Sequence, residues 1–129
     1  MHDYELRASH LVCEVRRLVT ARVWSVGEVL RERPSEAEVA GVYLISMPSA
    51  PDSMVYAGRT KTKTVRGRLR DHRSMATGSD LRGMLARWPD HPQVPEEYGV
   101  RWIEVPSAAE RGAVEAFTIA VLVPTFNRW

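Results

Sequence analysis

At 129 residues, with 18 Lys and Arg against 16 Asp and Glu and 44% hydrophobic residues, the sequence describes one soluble domain. A chain of this length buries roughly two-thirds of the surface its unfolded form exposes, so its core needs no disulfide or structural metal. The lone Cys13 excludes a disulfide framework and a four-cysteine zinc site and points to a reducing, cytoplasmic setting.

The expected elements follow in chain order. Apolar residues at Ala8, Leu11, Val12, Val15, Leu18, Val19 and Val23 share one helical face, which predicts an amphipathic helix over residues 4–23. Ser25 and Glu28 have capping-box spacing and open a shorter helix that ends by Pro34. Gly41 to Ile45 and Met54 to Ala57 are β-branched and aromatic runs on either side of a turn-rich MPSAPDS, a hairpin with a loose loop. The next segment, Arg59 to Arg73, holds seven Lys or Arg against Asp71, a local charge of +6 that leaves −4 elsewhere. Such focusing favours a polyanionic partner, although most charge runs are simply solvated helix faces. Val65, Leu69, His72 and Ala76 form an inner seam of this helix, while Arg66, Arg70 and Arg73 share a neighbouring stripe.

A short helix from Asp80 to Trp88, a proline-rich loop to Glu97 and a third strand from Val100 to Val105 follow. Ser107 and Glu110 repeat the capping-box spacing and open a last helix, which Pro124 stops. The longest uncharged stretches, Val39 to Pro51 and Ala116 to Asn127, fall short of the roughly 20 residues of a membrane span. The N-terminus lacks the basic-then-apolar order of a signal peptide, so neither insertion nor export is expected. The order of elements predicts an α/β (α+β) fold with a three-stranded antiparallel sheet flanked by helices.

Several residues stand out against this frame. Tyr43 and Tyr56 lie one in each hairpin strand, although strand tyrosine is ordinary core filler. Arg68 and His72, at i and i+4, share one side of the basic helix, and His72 occupies a position where the apolar seam asks for a hydrophobic residue. Glu115 lies in the mostly apolar AVEAFTIAVLV, where a carboxylate needs solvent, a cation or a donor. A carboxylate for a hard cation, an arginine for phosphorane charge and Tyr or His for proton movement suit phosphodiester hydrolysis. No Gly-rich phosphate loop, nucleophile elbow or HExxH is present, and His10-x-x-Cys13 is at most half a metal site.

These spacings resemble the GIY-YIG nuclease superfamily. The two halves of its signature match Gly41-Val-Tyr43 and Tyr56-Ala-Gly58, the latter followed by Arg59-Thr-Lys. Arg68-Leu-Arg-Asp-His72 is similar to the family's RL-x-x-H helix, Ser79 to Leu85 to its S-x-LR-x-x-L stretch, and Glu115 with Pro124-Thr-Phe-Asn127 to its E(x8)PxxN ending. The departures are Ala57 in the middle of the second tripeptide and a longer gap from Gly58 to Arg68. The resemblance implies a nuclease core over residues 39–129, with residues 1–38 as a two-helix extension packed on the same domain.

It also implies a DNA endonuclease, monomeric or homodimeric, with one Mg2+ or Mn2+ per active site held by Glu115. The motif segments independently offer one carboxylate, whereas two-metal nucleases gather several. Tyr43 or Tyr56, assisted by His72, would deprotonate the attacking water. Arg68 would stabilise the transition state, and Asn127 would orient groups near the metal or phosphate. Arg59, Lys61, Lys63, Arg66, Arg70 and Arg73 would contact flanking phosphates. A silent or partner-activated nucleic-acid-binding subunit is the alternative.

Overall fold

The computed structural model of the protein describes residues 2–128. Helix α1 (Asp3–Thr20) leads into a two-residue strand β1 (Trp24–Ser25) and helix α2 (Val26–Glu32). The hairpin β2 (Gly41–Met47) and β3 (Ala50–Arg59) is followed by helices α3 (Val65–Ser74) and α4 (Leu81–Ala86). Strand β4 (Gly99–Glu104) and helix α5 (Ala108–Leu122) complete the order. No helix among the described residues is long and apolar enough to cross a membrane.

The sheet has four antiparallel strands in the order β1-β4-β2-β3, and not the three expected from sequence. The additional strand pairs Trp24 with Val100 and Ser25 with Gly99 at the outer edge of β4. Two residues carry no alternation to detect, and Ser25 also caps α2, so the capping signal conceals the strand. Its hydroxyl accepts from Glu28 N–H at 3.0 Å, and the Glu28 carboxylate accepts from Ser25 N–H at 2.7 Å. Such a cap contributes about 1 kcal/mol.

The central strand β2 is buried on both faces, which divides the core into two layers. Val42 and Leu44 pack with Leu18 of α1, Ala57, Ile103 and Val114 of α5. Tyr43 and Ile45 pack on the other side with Val29, Val65, Leu69, Leu81 and Leu85, from α2, α3 and α4. Fully burying side chains of this size contributes roughly 2 kcal/mol each.

The expected loose hairpin loop is largely strand. Pairing runs from Val42 opposite Arg59 to Met47 opposite Ala50, and Ser49 takes the turn with φ 59°. The register shifts after Ile45, which faces Tyr56, because Ser46 then faces Met54 and Val55 has no partner. That bulge places Val55 and Tyr56 on the same side of the sheet, against α3. Asn127 closes the outer edge of β3: its amide accepts from Ala57 N–H at 2.7 Å and donates to Ala57 C=O at 3.0 Å, as a neighbouring strand would.

Candidate active site

Residues far apart in the chain meet in one cavity of about 580 Å³ beside the sheet. Its walls include Tyr43 from β2, Tyr56 and Arg59 from β3, Lys61 and Lys63 from the following loop, Arg68 from α3, Asp80 at the start of α4 and Glu115 from α5. Thr64 caps α3 by accepting from Gly67 N–H at 3.1 Å, and Thr60 N–H bonds Gly41 C=O at 2.9 Å. These bonds fix the basic loop at both ends. Tyr43 lies directly across from Gly58 in the sheet. A Cβ at Gly58 would fall 2.5 Å from Tyr43 Oη and 2.8 Å from the Tyr56 ring, so only glycine lets the two rings lie 6.2 Å apart.

His72 is fully buried behind the tyrosines, and its two nitrogens have distinct partners. Leu81 N–H donates to Nδ1 at 2.8 Å, so that nitrogen is unprotonated. Burial, reinforced by the nearby Arg68 charge, pushes the imidazole pKa down to about 3. The neutral ring therefore carries its proton on Nε2, which donates to Tyr43 Oη at 2.7 Å. In this arrangement His72 gives Tyr43 a hydrogen bond and has no lone pair with which to take the phenolic proton. Burial raises the phenol pKa of Tyr43 well above its ordinary value and also raises that of Tyr56, where the Arg68 charge opposes the rise.

Asp80 was not among the candidates from sequence, yet it holds the central cation. Arg68 donates from Nη1 to Asp80 Oδ1 at 2.5 Å and from Nη2 to Ser79 C=O at 2.8 Å. The Thr77 hydroxyl also donates to the Asp80 carboxylate. Burial alone would raise the Asp80 pKa, but the bonds from Arg68 and Thr77 hold it below the usual carboxylate range. One turn of chain, residues 77–81, thus orients Arg68 through a carboxylate and sets the His72 tautomer through a backbone N–H. The sequence signal is only its place at the start of a short helix, where Asp ordinarily acts as a cap.

On the opposite wall, Glu115 lies 3.5 Å from Arg59 Nε. Burial raises its pKa, while Arg59 and Lys61 oppose the shift. Arg111, one turn earlier on α5, is buried and donates to the carbonyls of Thr60, Lys61, Val105 and Pro106. It ties the basic loop to α5. Gly112 completes the arrangement, since a Cβ there would collide with the Arg59 guanidinium. Among the described residues no group of three or more His, Cys, Asp or Glu could hold a metal ion. Of the three carboxylates on the cavity wall, Asp71 and Asp80 are bonded to Lys63 and Arg68, which leaves Glu115 as the one that could hold a hard cation keeping most of its water.

The six basic residues expected to contact phosphate divide between two places. Arg59, Lys61 and Lys63 line the cavity with Arg68, and Lys63 pairs with Asp71 at 2.5 Å. Arg66, Arg70 and Arg73 do not line it; Arg66 lies 3.6 Å from Glu38, and Arg73 borders a separate groove. Asn127 is also outside the cavity wall, with its amide committed to Ala57.

No protein-family model and no curated protein matches the chain. Among solved structures, the chain is similar to the GIY-YIG N-terminal endonuclease domain of UvrC from Thermotoga maritima, bound to its catalytic magnesium. The two are 19% identical, with a TM-score of 0.48 over 88% of this chain and 94% of that one.

Proposed function

We propose that the chain is a divalent-metal-dependent endonuclease of the GIY-YIG type that hydrolyses phosphodiester bonds in DNA. The observation that carries this is the meeting of Tyr43, Tyr56, Arg68 and Glu115 in one cationic cavity, with His72 bonded to Tyr43. These are positions matched by the motifs, and they come from β2, β3, α3 and α5.

Glu115 would hold one Mg2+ or Mn2+. When bound, that ion supplies positive charge at the reacting phosphate. Arg68 is fixed by Asp80 and Ser79 with its guanidinium on the cavity wall, where it stabilises charge developing on phosphate oxygens without reorganising. A tyrosine takes the proton of the attacking water only as a phenolate. Burial opposes that form, and the Arg68 charge favours it. Tyr43 has a further advantage: the His72 Nε2–H donates to its oxygen and steadies the phenolate. His72 is therefore a hydrogen-bond donor to the base. Arg59, Lys61 and Lys63 hold the strand at the cavity mouth through its phosphates, which positions the substrate without reading its sequence.

The test is cleavage of supercoiled plasmid and of single-stranded, duplex and branched DNA, with Mg2+ or Mn2+ against EDTA. Metal-dependent cutting by the wild type that Glu115→Ala and Arg68→Ala abolish, with binding retained, supports the proposal. Tight binding with no cutting under either metal overturns it in favour of a binding subunit.

A further inference from the structure

A second depression, of about 430 Å³, lies on the other side of the connection between α3 and α4. Met75, Thr77 and Ser79 of that connection face the catalytic cavity, while Arg73, Ser74 and Arg82 line the second groove with Gln93 and Glu96. Two guanidinium groups from different helices converge there on a single residue. Arg73 Nε donates to the Ser74 hydroxyl at 3.4 Å, and Arg82 Nη1 donates to the Ser74 carbonyl at 3.3 Å. Neither forms an ion pair among the described residues, although Glu96 is part of the same wall.

This differs from the catalytic cavity, where Arg59, Lys63 and Arg68 each have a carboxylate within 4.0 Å. Arg73 and Arg82 bond only neutral oxygens of Ser74, and at long range, so both guanidiniums keep donors for an anion in the groove. Guanidinium forks match phosphate geometry, and the groove is open to solvent, with Val94 and Pro95 completing a wall whose other residues are polar or charged.

We propose that Arg73 and Arg82 form a second phosphate-binding site, which takes a phosphodiester of the nucleic-acid strand running past the α3–α4 connection from the catalytic cavity. The inference rests on the nuclease proposal, because it concerns the same substrate. It assigns Arg82 to substrate binding and separates Arg73 from the residues at the cavity mouth.

The test measures duplex binding against salt, without divalent metal, for the wild type and for Arg73→Gln/Arg82→Gln. Arg16→Glu, an equal change of charge on exposed α1, is the control. Two lost phosphate contacts lower the log-log salt slope by about 2 and weaken affinity by roughly tenfold or more at low salt. The control keeps the wild-type slope. An unchanged slope in the double variant, or the same loss in the control, overturns the second site. A thermal-shift arm with inorganic phosphate separates the sources: stabilisation of the wild type alone, with duplex binding equal in both, would make this a free-phosphate site and overturn the proposal. A wild-type chain that binds no nucleic acid overturns this proposal together with the nuclease proposal, whereas a wild type that binds and cuts isolates the second site.

Discussion

The two long sides of α3 are built on opposite terms. On the cavity side, Arg68 is held by Asp80 and Ser79, Lys63 by Asp71, and both His72 nitrogens are satisfied within 2.8 Å. On the outer side, Arg70 has no ion pair among the described residues, Arg66 meets Glu38 only at 3.6 Å, and Arg73 has one long bond to Ser74. The first arrangement spends carboxylates and backbone groups on fixing donors before substrate arrives, which is what transition-state stabilisation requires. At Arg70 and Arg73 the second leaves charge adaptable, which suits phosphates whose positions vary along a strand, whereas Arg66 is largely buried beside Glu38. The same residue type is thus fixed or free according to what packs beside it.

The comparison breaks most visibly at Arg68. Arg68→Ala is expected to slow single-turnover cleavage by about 10³-fold while duplex affinity changes only a few-fold, since the lost interaction matters mainly in the transition state. A loss of affinity without a loss of rate would place Arg68 with the outer arginines. Asp80→Asn should keep the fold and the shape of the cavity but loosen the Arg68 anchor, with kcat falling by tens to about 100-fold and KM nearly unchanged. Asp80→Glu should recover part of that loss, and an Asp80 that merely capped α4 would move thermal stability and leave the rate per folded molecule intact.

Gly58→Ala sharpens the same contrast through packing. The added methyl meets both tyrosine rings, so denaturant titration should show about 1–3 kcal/mol of destabilisation. His72 supplies an effect that is absent at neutral pH and grows as pH falls. Its folded pKa, about 3, lies below the ordinary value of 6.5, so the unfolded chain takes up a proton that the folded chain refuses. Stability should fall as pH falls from about 6.5 toward 4, by about 1.4 kcal/mol per pH unit at most from this group. His72→Gln can still accept from Leu81 N–H and donate to Tyr43, and it should remove that slope. A slope unchanged in the variant would show that His72 is not its source.

Much of this was legible in the sequence. Capping pairs at Ser25 and Ser107, and the inner seam of Val65, Leu69 and His72, place the helices because both signals are local. His72 in an apolar seam and Glu115 in an apolar helix stand out in the sequence as polar groups that packing alone does not explain, and the structure places Glu115 on the cavity wall and His72 buried behind the tyrosines. The fourth strand was hidden by its two-residue length. The role of Asp80 was hidden by distance, since its partner lies 12 residues away and becomes adjacent only when α4 folds back on α3. The resemblance implies an orienting role for Asn127 near the metal or phosphate, whereas in the structure its amide is bonded to Ala57 on the edge of β3. The division of the basic run into two faces follows from helical rotation, but which face meets a cavity depends on β3, α4 and α5.

The central claim is that this cavity hydrolyses phosphodiesters with Glu115 as its metal-holding carboxylate. Single-turnover cleavage of an end-labelled duplex by saturating wild type and Glu115→Gln, in Mg2+ and in EDTA, with binding measured on the same samples, tests it most directly. The account predicts cutting only by the wild type and only with Mg2+, while both proteins bind the duplex. Equal cutting by Glu115→Gln, or no cutting by a wild type that binds the duplex, would contradict it.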